Sequence, residues 1–148
     1  MSTPSEKVTT EAPDAFLAAL VLAIEADRPT GMEPPAQLLV QFGTGEVERP
    51  ALVAILGDVE FPHPRMPSFF VRLEWRIRKD ETTDLPAARA AWQALQKGMP
   101  QYLATAGETT RQNKNARLRF AMPVPEDDAP ETDGYEFSAT WQIKLIQM

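Results

Sequence analysis

Ten consecutive residues fix much of what this chain can fold into. From Phe69 to Arg78 the side chains alternate. Phe69, Val71, Leu73, Trp75 and Ile77 share one parity, and Phe70, Arg72, Glu74, Arg76 and Arg78 share the other. A period of two over that length predicts a long strand with one face on a core and one largely charged face. A sheet with one polar face is typically antiparallel, and its other face needs a cover.

Two further segments repeat the pattern. Arg117 to Met122 reads as a strand with Leu118, Phe120 and Met122 inward and Arg117 and Arg119 outward. The run from about Tyr135 to Met148 puts Tyr135, Phe137, Ala139, Trp141, Ile143 and Leu145 on one face. Glu136, Ser138, Thr140, Gln142 and Lys144 take the other. Leu38 to Phe42 and Ala51 to Leu56 read as short strands, with a turn at Gly43, Gly45 and Pro50 between them.

The cover comes from two helices. The first starts near Thr10 or Asp14, which places Pro13 in the first turn, where proline is tolerated. Its apolar face is Phe16, Leu17, Leu20, Val21 and Ile24, and Pro29 and Gly31 stop it. The second is capped by Thr83 or Asp84, and Leu85, Ala88, Trp92, Leu95 and Met99 draw one stripe. Gly98 reads as its C-cap, with a short extra turn from Pro100 to about Ala106. Residues 29–36, 57–67 and 123–134 read as loops. The expected architecture is α+β: a single mostly antiparallel sheet with two helices packed on one face. Residues 10–148 form one domain and residues 1–9 a flexible tail.

Composition narrows the function classes. The 148 residues suit one domain, and the chain contains no Cys and a single His, His63. Thiolate catalysis, disulfides and Cys-type metal sites are excluded, and His-based triads and metal clusters lack their usual residues. The acidic run at 126–133 does not have the ligand spacing of a calcium loop. Gly43-Thr44-Gly45 lacks the Gly-Lys-Ser/Thr ending of a phosphate loop. The longest apolar run, Ala15 to Ile24, is half the ~20 residues that span a bilayer. A net charge of −6 gives no overall attraction to nucleic acid. These observations lead to the expectation of no catalytic residue, no metal and no cofactor.

One constellation stands out. Arg72, Arg76, Arg78, Arg117 and Arg119 all fall on outward strand faces. In one sheet they would form a basic face on an acidic protein. That face is a candidate subunit or partner interface, with Asp127 and Asp128 of the acidic run as its complement on a neighbouring copy. The plainer account is a solvated sheet face paired with Glu74 and Glu136 across strands. Trp75, Trp92 and Trp141 match the apolar periodicity and read as core residues rather than a ligand box.

The order of elements carries a resemblance. An N-terminal helix leads to an apolar strand at Pro50 to Leu56. The long alternating strand runs into Lys79-Asp80-Glu81-Thr82-Thr83-Asp84, which opens an Ala-rich helix, and the alternating strand from Tyr135 to Met148 follows. This pattern, over roughly residues 10–148, resembles the tail-terminator and tail-completion (neck) proteins of long-tailed bacteriophages. The loops at 58–67 and 123–134 are longer than that pattern. The resemblance implies a ring, usually a hexamer, on the end of a finished tail tube. Its partners would be further copies of itself, the tube protein and the head-completion or connector proteins. No cofactor, membrane or sequence-specific nucleic acid would be involved. The protein would be assembled in the host bacterial cytoplasm and reside in the virion. The alternative reading is a small-molecule-binding or regulatory α+β domain of a bacterial cell, with a pocket between helix and sheet.

Overall fold

The computed structural model of the chain describes residues 4–32, 37–41, 51–77, 84–125 and 136–148. The described elements run in the order α1 (Pro4–Ala26), β1 (Gln37–Gln41), β2 (Ala51–Leu56), β3 (Glu60–His63), β4 (Met66–Arg76), α2 (Leu85–Lys114), β5 (Ala116–Val124) and β6 (Glu136–Gln147). The six strands form one sheet in the order β1-β2-β4-β6-β5, and β3 also pairs with β4. Every pairing is antiparallel except β1 with β2. The architecture is therefore the α+β arrangement that the alternation implies.

The inner face follows the period-two pattern. Phe69, Val71, Leu73 and Trp75 of β4 and Trp141, Ile143 and Leu145 of β6 are all buried. Both helices lie on this face, with α1 over β1, β2 and β4 and α2 over β5. Phe16 of α1 meets Phe69 edge to face at 6.1 Å. The Phe137 ring lies between two indoles, 5.8 Å from Trp75 and 5.8 Å from Trp92, and stacks on both. Such pairs add about 0.5–1.5 kcal/mol each beyond the area they bury.

Both helices are longer than the sequence pattern implies. α1 begins at Pro4, inside the segment assigned to a flexible tail, and runs through Pro13. α2 starts as expected. The Asp84 carboxylate accepts a hydrogen bond from the Ala87 amide at 3.0 Å, and Pro86 sits in the first turn. It does not stop at Gly98, however. It continues through Pro100 to Lys114 and ends at Asn115, a left-handed residue whose N–H bonds the Arg111 carbonyl.

The apolar stripe explains the continuation. Tyr102, Leu103, Ala106 and Thr110 remain buried beyond the proline, and this burial offsets the backbone bond that Pro100 cannot make. Gly98 makes room rather than a terminus: a Cβ there would lie 3.1 Å from the Tyr102 ring. Tyr102 in turn donates its hydroxyl hydrogen bond to the Asp27 carbonyl just beyond α1.

Two strands also depart from the pattern. The segment read as a loop over 57–67 contains β3, which turns at Pro64 and Arg65 into β4, with His63 paired to Met66. In β5 the pairing shifts between Leu118, opposite Leu145, and Phe120, opposite Lys144. Arg119 is the extra residue of a β-bulge, so the parity of the strand reverses there. Phe120 and Met122, expected inward, instead stand on the outer face and are exposed.

Two substitutions test the packing. A Cβ on Gly107 would lie 2.8 Å from the Leu118 Cβ. Gly107→Ala is therefore expected to lower stability by up to about 2 kcal/mol in urea denaturation, although alanine is the better helix former, because overpacking costs about 1–3 kcal/mol and propensity returns about 1.

Burial pushes the Tyr102 phenol above its ordinary pKa, and the nearby Asp27 carboxylate adds to the shift. The neutral phenol thus contributes stability below its unfolded pKa of ~10, and this is lost as pH rises through the raised folded value. Tyr102→Phe is expected to cost about 1 kcal/mol at neutral pH and to flatten the alkaline fall in melting temperature.

Candidate interaction surface

The outer face of the sheet is set by register, and its residues form rows across the strands. Nearest the β3–β4 turn, Glu60, Ser68, Lys144 and Phe120 lie side by side on β3, β4, β6 and β5. The next row holds Phe70, Gln142 and Met122. After it come Ile55, Arg72, Thr140 and Val124, then Val53, Glu74 and Ser138, and last Ala51, Arg76 and Glu136.

The two ends of this face differ. At the far end Ala51, Val53 and Arg76 are buried, so that end is shielded from solvent. At the near end Phe70, Phe120 and Met122 are exposed, at 45%, 38% and 43%. Phe120 and Met122 stand two residues apart on β5, and Phe70 stands across β6 from them on β4, so three large apolar side chains share this end of the face, unlike an exposed leucine or phenylalanine standing alone. The Lys144 ammonium stands 5.6 Å from the centre of the Phe120 ring, within the range of a cation–π contact.

The predicted arginine face is only partly realised. Arg117 and Arg119 are exposed on β5. The Arg72 side chain is 47% exposed and its Nε bonds Glu74 at 3.2 Å. Arg76 departs from expectation. Its outward parity implies an exposed interface residue, yet it is 8% exposed, and its Nη2 lies 2.8 Å from the other Glu74 oxygen. Glu74, itself 12% exposed, is held between the two arginines. Arg76 is thus a structural ion-pair residue at the shielded end. Arg78, Asp127 and Asp128 lie outside the described residues, as do the Gly43–Gly45 segment and the acidic run.

The remaining candidates fall to structural roles. The His63 Nδ1 accepts a hydrogen bond from the Arg65 amide at 3.2 Å and so belongs to the β3–β4 turn. Trp75 and Trp141 are core residues, although their buried indole N–H groups meet no acceptor among the described residues. Among the described residues no three His, Cys, Asp or Glu side chains gather to hold a metal ion, and no helix is long and apolar enough to cross a membrane.

Sequence reasoning missed most of the apolar patch. Phe70 was visible as the one aromatic residue on an otherwise charged strand face. Phe120 and Met122 were not, because their outward placement depends on the bulge at Arg119. No protein-family model matches the chain, and no curated protein matches it in sequence.

The Glu74 cluster yields a contrast between neighbouring arginines. Arg76→Ala strips a nearly buried carboxylate of its closest partner and is expected to cost about 2–4 kcal/mol. Arg72→Ala, at an exposed position, is expected to stay within about 1 kcal/mol. Urea unfolding midpoints of the two variants check both.

Proposed function

We propose that this chain is a structural assembly protein of the tail-terminator or neck class. It acts by associating with itself into a ring that caps the tail tube of a long-tailed bacteriophage and presents a surface to the head connector. It carries out no reaction on this reading. Its partners are other copies of the chain, the tube protein and the connector proteins, and its place is the virion.

The observation that carries the assembly part of this reading is the exposure of Phe70, Phe120 and Met122 at one end of the outer face, with Lys144 of β6 beside Phe120. Exposed apolar side chains with charge among them suit a protein contact: the apolar groups lose water, while the charge sets partner choice and encounter rate. The family assignment draws on the order of elements, in which a helix, an apolar strand, a long alternating strand, a second helix and a last alternating strand follow one another. Ring closure follows from a head-to-tail contact repeated by rotation, and it leaves two unlike faces for two unlike neighbours.

Native mass spectrometry and negative-stain electron microscopy of the purified chain test the reading. A closed ring is expected, with six subunits by the resemblance. A chain that remains monomeric at every concentration and salt level would overturn it.

A further inference from the structure

The helix α1 also leaves apolar surface uncovered. From Ala15 to Ile24 it holds no polar residue. Phe16, Leu17, Leu20, Val21 and Ile24 are buried, but Ala18 and Leu22 face water, Leu22 at 66% exposure. A surface helix ordinarily turns a polar side outward, and one that is apolar all round is covered all round. Asp14, Ala18, Leu22 and Glu25 follow at spacings of four, four and three, so they share one side. That side is apolar in the middle and acidic at both ends. Asp14 is half-buried, and Glu25 is exposed although Arg28 bonds it at 3.3 Å.

The open end of the outer sheet face carries the opposite charge. Arg117 pairs with Ile146, which shares the parity of Lys144, so Arg117 stands on this face beside β6. Arg72 stands on the other side of β6, opposite Thr140. Both arginines are exposed. The line between them crosses β6 at Lys144 and Gln142, with Phe120 and Met122 on one side and Phe70 on the other. Glu60, the exposed acid at this end, lies across β4 from that line.

We propose that α1 of one copy docks across this face of the next, with Asp14 toward Arg117 and Glu25 toward Arg72. Asp14 and Glu25 are eleven residues apart in the helix, or about 16 Å. The two arginines are separated by the six residues from Ile146 to Thr140 and by two strand spacings, or about 22 Å. The reach of two arginine side chains bridges the difference. Ala18 then lies near Lys144, and Leu22 lies between Phe70 and Met122. The small alanines let the helix come close to the sheet, and the larger side chains close around Leu22. This is the way an amphipathic helix seats in a groove, with charge fixing its direction. The earlier residues of α1 leave the sheet beyond Arg117, away from the shielded end.

Both helices cover the inner face of the sheet, so the outward side of α1 and the outer sheet face lie on opposite sides of the molecule. The contact is therefore head to tail, and each copy keeps one of its two halves free for the next. The inference rests on the self-assembly reading and names the surfaces of its repeated contact. The edge of the sheet is a poorer site. β5 pairs only with β6, and its free side is interrupted by the bulge at Arg119 and by Pro123. Both discourage the addition of a further strand.

Leu22 and Phe70 are exposed, so Leu22→Ser and Phe70→Ser should leave the circular dichroism unchanged. Each is expected to weaken self-association at least tenfold. Leu22→Ser keeps an intact sheet face and Phe70→Ser an intact helix. Mixed in equal amounts, the two should form a heterodimer in native mass spectrometry and nothing larger. The chain has no Cys, so introduced thiols are unique. Under mild oxidation Leu22→Cys and Phe70→Cys should cross-link when mixed, and neither should cross-link to itself. Self-linking of either thiol variant, serine variants that associate at wild-type strength, or a serine mixture that stays monomeric would overturn the proposal. A wild-type chain that is monomeric throughout would overturn it together with the self-assembly reading. A ring that forms equally well from every variant would overturn this contact and leave the ring reading intact. Open chains, cross-linked from Leu22 to Phe70 and never closing, would support this contact and overturn the ring.

Discussion

The pairing of β4 with β6 is the constraint on which the other parts depend. Nine consecutive residue pairs, from Ser68 with Lys144 to Arg76 with Glu136, hold the two strands in one register. Side chains alternate along a strand, so a slip of one residue would carry a whole strand's apolar set to the wrong face. The register places Val71 opposite Trp141 and Phe69 opposite Ile143 on the inner face, under the two helices. It also lines up Phe70 with Gln142 and Ser68 with Lys144 on the outer face. The core under the helices and the outward place of Phe70 are thus two results of a single alignment.

That alignment was legible in the sequence because it depends on local parity. The long strand, the inward tryptophans, the Asp84 cap and the two-helix cover follow from patterns that a short window of residues contains. What was hidden depends on partners distant in the chain. Gly98 and Pro100 look like a helix terminus until Tyr102 is seen to need the space above Gly98 to reach Asp27. Arg76 looks like any outward strand residue. Its burial follows from its place at the shielded end of the sheet, where Glu74 receives it. The bulge at Arg119 exists only in relation to β6, and without it Phe120 and Met122 read as core.

The outer face therefore divides by function along its length. Its shielded end is structural, with Glu74 clamped between Arg72 and Arg76 and with Val53 and Ala51 out of solvent. Its open end presents apolar area to water at a standing cost in solubility. Lys144 lowers that cost in part by standing over Phe120. The distinction matters for any alteration of charge on this face, because reversing Arg76 disturbs the fold while reversing Lys144 alters the surface.

The position of β6 has a consequence for how the chain comes off the ribosome. It follows every other strand in sequence yet lies inside the sheet, between β4 and β5. Until residues 136–147 have emerged, β4 lacks its longest partner and β5 has none. Both then offer unpaired backbone and the apolar sides of Phe69, Val71 and Leu118 to the surroundings. Domains of this kind complete their folding late, and the interval is when unpaired strands are most open to wrong partners. The bulge and proline of β5 act during that interval as well, since they spoil the strand as a template for another chain before its proper neighbour arrives.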